Sequence, residues 1–164
     1  MGEICLDSMI ITSAILDEDF KRLLIQNIRK DISYTTQVCR KECVGNLIEK
    51  LKIKREVAES KFKEFENEIS LRYLEFKEEY YSEGTKLFSD ILLLGLKIKK
   101  KSTLLKDCLN IITLLKNDIK IFFSNDEDLE KACKRLNIDI EFIRIADSSE
   151  KVVKDFFRQF KFQF

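Results

Sequence analysis

Apolar side chains recur along most of this chain at intervals of three and four residues, the spacing that places them on one face of an α-helix. Between residues 58 and 80, Ala58, Phe62, Phe65, Ile69, Tyr73, Phe76 and Tyr80 step by four, three, four, four, three and four. Past Ser82-Glu83-Gly84 the stripe resumes with Leu87, Ile91, Leu94 and Ile98, then with Leu105, Leu109, Ile112, Leu115, Ile119 and Phe122. Alternating threes and fours hold a seam in place when helices supercoil around one another, so the pattern predicts a coiled coil whose seam residues meet a partner chain. A continuous helix over 44–123 would be roughly 120 Å long at about 1.5 Å per residue. Leu92, Leu93 and Leu96 widen the stripe, which suits more than one neighbouring helix, and Gly84 costs about 1 kcal/mol in a helix interior relative to alanine. A hairpin of helices 38–82 and 86–123 is therefore the alternative, with a break at 82–86.

The two ends read differently. Asp17 is a plausible N-cap, with acidic Glu18 and Asp19 in the first turn and Phe20, Leu23, Leu24 and Ile28 at helical spacing, giving a helix over about 17–32. The hydroxyl and β-branched run Ser33-Tyr34-Thr35-Thr36 breaks it. Near the C-terminus, Ser124-Asn125-Asp126 supplies cap chemistry for a short helix from Glu127 to about Leu136, and Asn137 can stop it because asparagine tolerates the left-handed conformation. In KRLNIDIEFIRI, residues 134–145, the period changes to two: Ile138, Ile140 and Phe142 alternate with Asp139 and Glu141, as in a strand. A turn at 146–149, a helix over 150–158 and a second strand through Phe160, Phe162 and Phe164 complete the reading. The expected fold class is mainly α, a long coiled-coil or helical-hairpin region with a small C-terminal α+β element. It divides into an N-terminal helical segment (1–36), the long region (37–123) and a helix-strand-helix-strand cap (124–164) whose core is Leu136, Ile138, Ile140, Phe142, Phe160 and Phe162.

Composition sharpens this picture mainly through what is missing. With no proline, nothing forbids long uninterrupted helices, and with no histidine the usual general base and commonest metal ligand are absent. Basic and acidic residues number 30 and 29, so net charge gives no pull toward nucleic acid, and Lys97, Lys99, Lys100 and Lys101 read as a solvated face. Cys5, Cys39, Cys43, Cys108 and Cys133 make an odd number without framework spacing, which fits reduced thiols in an intracellular compartment, cytoplasm or nucleus. The N-terminus is acidic at Glu3 and Asp7 and lacks a basic segment, which argues against a signal peptide. ILLLGL at 91–96 is far shorter than the roughly 20 apolar residues of a membrane span.

The candidate motifs resolve into structure. Cys39 and Cys43 share a helical face, but zinc wants four ligands and no second pair lies nearby. Ser82-Glu83-Gly84-Thr85-Lys86 lacks the first glycine and preceding strand of a phosphate loop. Asn125-Asp126-Glu127-Asp128 lacks the glycine of a calcium loop, Lys131 standing in its place, so a helix cap accounts for it. Paired carboxylates such as Glu78 and Glu79 solvate helix surfaces.

The passage from a long coil into Leu129, Lys134-Arg135-Leu136-Asn137-Ile138-Asp139-Ile140 resembles the two shorter subunits of the rod-shaped outer-kinetochore complex, which pair through a coiled coil and end in a small RWD-type head. The resemblance implies a heterodimeric structural subunit at the kinetochore, acting in chromosome segregation without catalysis. The sequence thus reads as a non-catalytic interaction protein with no catalytic, cofactor-binding or metal-binding residues and no cofactor. Its partner would be a protein bound through the coil as a hetero- or homodimer, with no nucleic acid, membrane or small-molecule substrate. A compact helical-bundle adaptor is the alternative.

Overall fold

Short apolar runs that the helical spacing absorbs form strands instead. The computed structural model describes residues 2–145, and within them β1 (Glu3–Leu6), β2 (Ile32–Thr36), β3 (Arg72–Leu74), β4 (Ile121–Phe123) and β5 (Glu141–Ile143) make one sheet in the order β3-β2-β1-β4-β5. Every neighbouring pair is parallel, with Cys5 level with Tyr34 on one side and with Phe122 on the other. The chain starts at the centre, winds outward through β2 and β3, then crosses to β4 and β5.

A parallel sheet is covered on both faces, so its strands read as unbroken apolar runs such as Ile4-Cys5-Leu6 and Ile121-Phe122-Phe123. Ile4, Leu6 and Phe123 face a layer built by α1 (Ser8–Leu16), α2 (Glu18–Ile28), α3 (Gln37–Gly45) and α4 (Arg55–Ile69). Cys5, Leu74 and Phe122 face α5 (Tyr80–Leu93), α6 (Leu104–Lys116) and α7 (Glu127–Arg135). A π-helical turn, Asn46–Lys50, extends α3.

The coiled coil is corrected by this arrangement. Its seam is cut into pieces that pack inward: Ala58, Phe62 and Phe65 are buried on α4 with Ile69 beside them, and Tyr73 lies in β3. Tyr80, Leu87 and Ile91 are buried on α5, and Phe76, Leu94 and Ile98 lie half-buried against the same core. On α6 only Ile112 of the expected seam is buried, Leu105 and Leu109 being half-buried and Leu115 exposed, while Ile119 is buried just ahead of β4. A helix covering a sheet needs the same three-and-four stripe as a helix facing a coiled-coil partner, so spacing alone cannot separate the two.

The breaks that proline did not provide come from left-handed residues. Lys52, Ser70, Asp118 and Asn137 have φ of 56°, 54°, 56° and 53°, and Gly95 has 66°. Ser70 caps α4 just ahead of β3, and Asn137 follows α7 as the sequence predicts. Asp17 also caps α2 as expected, accepting from the amides of Asp19 at 2.8 Å and Phe20 at 2.9 Å. The segment 82–86 is no break: α5 runs through it, and Gly84 lies so close to Leu109 of α6 that a methyl group there would overlap its side chain. Ser33–Thr36 is no kink but the body of β2, because its alternate residues fit between two buried faces.

The strand expected at 138–142 is shorter and later, at Glu141–Ile143, and it joins the main sheet rather than a separate cap. Leu136, Ile138, Ile140 and Phe142 border the α5–α7 core, with the Phe142 ring edge-on to Phe122 at 5.6 Å. Phe160, Phe162 and everything expected from residue 146 onward lie outside the described residues. No helix among the described residues is long and apolar enough to cross a membrane.

Candidate active site

In a doubly wound parallel sheet, the strands on either side of the reversal point leave a crevice beyond their C-terminal ends. Here the reversal falls between β1 and β4, and the first residues past those strands are Asp7 and Ser124-Asn125-Asp126. The two exits are tied together: the Asp7 amide donates to the Phe123 carbonyl at 3.0 Å, and Ser124 Oγ donates to Asp7 Oδ2 at 2.7 Å. Asp7 caps α1 through the Ser8 amide at 2.8 Å, and Asp126 caps α7 through the Leu129 amide at 2.9 Å.

Two more carboxylates reach the crevice from helices. Glu42 comes from α3, and its Oε2 accepts from Ser8 Oγ at 3.1 Å. Asp107 sits in the first turn of α6, with Thr103 Oγ1 donating to Oδ2 at 3.4 Å. Thr36, at the end of β2, holds the two helices in relation to each other: its hydroxyl accepts from the Cys39 amide at 3.0 Å and donates to Asn110 Oδ1 of α6 at 2.5 Å. Asp7, Glu42, Asp107 and Asp126 thereby line one crevice, together with Ser8, Asp128, Lys50, Lys99 and Lys100.

Burial and neighbouring negative charge make two of these carboxyls, Asp107 and Asp7, hard to ionise. The Asp107 pKa is raised to about 8, first by burial and then by the charges of Asp7, Asp126 and Glu42. Asp7 is raised to about 6, again first by burial, against a hydrogen bond from Ser124 that favours its charged form. The cap positions of Asp7 and Asp126 at helix N-termini also favour negative charge. Such a cluster binds either protons or a cation.

Among the described residues no three or more histidines, cysteines and acids stand together closely enough to hold a metal ion by themselves. An open, all-oxygen set suits a different type of ion: Mg²⁺ or Mn²⁺ keeps several waters and takes only one or two carboxylates directly. The nearby thiol does not belong to such a set. Cys39 Sγ lies 3.8 Å from Asp7 Oδ1, and burial first, then the Asp7 charge, pushes its pKa well up, so it stays a neutral thiol. Cys43, its presumed partner on one helical face, instead accepts from Thr12 Oγ1 at 3.3 Å.

None of the four crevice carboxylates was singled out by spacing. The sequence-predicted interface residues lie in the core or on α5 and α6, and only Ile98 among them borders the crevice. The cap reading of Asp126 holds, and the same side chain also faces the crevice. A usable signal exists in EICLD and IFFSND, each an apolar run ending in an acid, which is how a parallel strand delivers a side chain to its C-terminal edge.

No protein-family model and no curated protein matches the sequence. The structure is similar to a chain of VapBC2 from Rickettsia felis, solved bound to a DNA fragment from their promoter, with a TM-score of 0.62 and 16% sequence identity. The likeness covers 87% of this chain and 98% of that one. The fold is therefore α/β, a five-stranded parallel sheet flanked by seven α-helices among the described residues. This overturns the mainly α class and the kinetochore resemblance, since Leu129, Leu136, Ile138 and Ile140 belong to the β4–α7–β5 unit and not to a rod and head. With the rod go the structural coiled-coil subunit, the bundle adaptor and the kinetochore location. The exclusions of enzymatic activity and of nucleic acid as a partner fall with them.

Proposed function

We propose that this chain is a metal-dependent nuclease acting on RNA, of the kind that serves as the toxin of a toxin–antitoxin pair. What carries the reading is the convergence of Asp7, Glu42, Asp107 and Asp126 on one crevice at the reversal point of a PIN-like fold. One or two of Asp7, Asp107 and Asp126 would hold a divalent ion directly and the rest, with Glu42, through its waters. A bound Mg²⁺ or Mn²⁺ supplies charge stabilisation at a phosphate and makes a bound water more acidic.

The chain's own residues do the rest. Ser124 and Ser8 fix the orientations of Asp7 and Glu42 through hydroxyl donors. The Ser8 bond occupies Glu42 Oε2, and Glu42 would serve through its other oxygen as the base for an attacking water, a role worth roughly 100- to 10,000-fold in rate. Asp107 would give up its proton to solvent when a cation offsets its burial and the neighbouring acids. VapBC2 is a pair that binds DNA from its own promoter, which supports a protein antitoxin as this chain's partner. The five free, buried cysteines support an intracellular location.

The test is direct cleavage of a labelled single-stranded oligoribonucleotide by the purified chain. Mg²⁺ or Mn²⁺ should switch it on and EDTA should stop it. Asp7→Asn and Asp126→Asn should each lower the rate by more than about a hundredfold, beyond what loss of an outer-shell partner costs. Cleavage that survives both substitutions, or survives EDTA, would overturn the reading.

A further inference from the structure

The crevice has a basic rim that its carboxylates do not use. Lys50 reaches it from the end of the π-helical turn, and Lys99 and Lys100 from the segment between α5 and α6. All three side chains are exposed, and among the described residues none forms an ion pair, although six acids line the same crevice. The segment is anchored at the mouth by its backbone: the Lys99 amide donates to Asp128 Oδ2 at 2.9 Å, which leaves the side-chain ammonium for another anion. Lys97 and Lys101 continue the positive stretch on either side.

The rest of the lining is equally informative. It contains no aromatic ring, so no base can stack inside the crevice. What remains for recognition is chiefly charge, since the Asn125 amide is engaged by the Ile145 backbone.

The structure assigns Lys50, Lys99 and Lys100 as a phosphate grip that positions a single nucleic-acid strand across the acidic floor by its backbone, with little regard to base sequence. This rests on the nuclease reading for the role of the floor. A phosphodiester strand carries one charge per nucleotide, so one phosphate can reach the floor while its neighbours meet lysines on the rim. An acidic peptide would press its carboxylates against those of Asp7, Glu42, Asp107 and Asp126 without that division. The lysines are positioning residues and do not touch the reacting atoms.

Binding is measured first in a chain carrying Asp7→Asn and Asp107→Asn, without metal, so that cleavage and floor repulsion are both reduced. The probe is a fluorescein-labelled 12-nucleotide single-stranded RNA followed by anisotropy over a salt series. Replacing Lys50, Lys99 and Lys100 by alanine should reduce the slope of log K against log salt by about 2, at about 0.7 per phosphate contact. The Lys99→Ala change keeps the amide that holds Asp128, and unchanged circular dichroism checks the fold. Two probes of unrelated sequence should bind within about threefold of each other. In the otherwise native chain with Mn²⁺, the same three substitutions should raise KM about tenfold while kcat stays within about twofold.

An unchanged slope and KM in a chain that still cleaves would overturn the grip and leave the nuclease reading standing. Lysine-dependent RNA binding with no cleavage by the native chain in any divalent metal would overturn the nuclease reading and leave the grip. Competition by polyglutamate as effective as by RNA would overturn the grip in favour of an acidic protein partner, and a preference above about a hundredfold between the two probes would overturn its indifference to sequence.

Discussion

The Asp107 carboxyl holds its proton up to about pH 8 because burial and three neighbouring acids oppose its charge. Between the ordinary value of 3.8 and about 8, the folded chain keeps a proton that the unfolded chain has lost, so this group lowers stability as pH rises through that window. Asp7 acts in the same sense between 3.8 and about 6. Glu130 works oppositely: hydrogen bonding to Lys134 holds its pKa below the ordinary 4.5, so its contribution is lost only in acid below that window. Without divalent ion, melting should therefore occur several degrees lower at pH 8 than at pH 5.5, at about 2–4 °C for each kcal/mol in a chain of this size. Asp107→Asn should raise the melting temperature at pH 8 and flatten the pH profile while it abolishes cleavage. A dye-based melting series in EDTA reads both effects, and a profile as steep in the variant as in the native chain would place the responsible proton elsewhere. A stabilising substitution that destroys function is the mark of a carboxylate placed for chemistry.

At the scale of elements, Thr36 joins three of them: it ends β2, caps α3 and grips Asn110 inside α6. Thr36→Val keeps the shape but removes the cap, worth about 1 kcal/mol, and leaves a buried Asn110 oxygen without its donor, costing about 1–3 kcal/mol more. Urea unfolding should show a loss of about 2–4 kcal/mol. Cleavage should fall as well, because Glu42 on α3 and Asp107 on α6 are aligned through this contact; full stability in the variant would show that the two helices are held by packing alone. What sequence made visible among the elements was local. The caps at Asp17 and Asp126 and the stop at Asn137 were legible because each depends on two or three consecutive residues. Of the strands only β5 was legible, through the alternation around 138–142 and slightly early; β3 and β4 were not, being three residues each, too short for alternation to show, and β4 is apolar throughout. Nor was the site: Asp7, Glu42, Asp107 and Asp126 are spread over most of the chain, and only the sheet order brings them together.

At the scale of the whole molecule, a formal net charge of +1 hides a separation of charge, with an acidic floor and a basic rim in a single crevice. The same averaging hides the core, because one helical stripe serves two layers that share a sheet. β1 shows the sharing most directly: Ile4 and Leu6 belong to the α1–α4 layer and Cys5 to the α5–α7 layer. Neither layer can unfold without exposing the back of a strand the other depends on, so the two should come apart together. The buried thiols report on both sides, Cys43 within the first layer and Cys5, Cys108 and Cys133 within the second. In a urea series, all four should become reactive to a thiol reagent at one midpoint, coincident with loss of the helical circular dichroism signal. An independent hairpin of α5 and α6 would instead release Cys108 at lower urea than Cys43, and that order of events would divide the molecule where the shared sheet joins it.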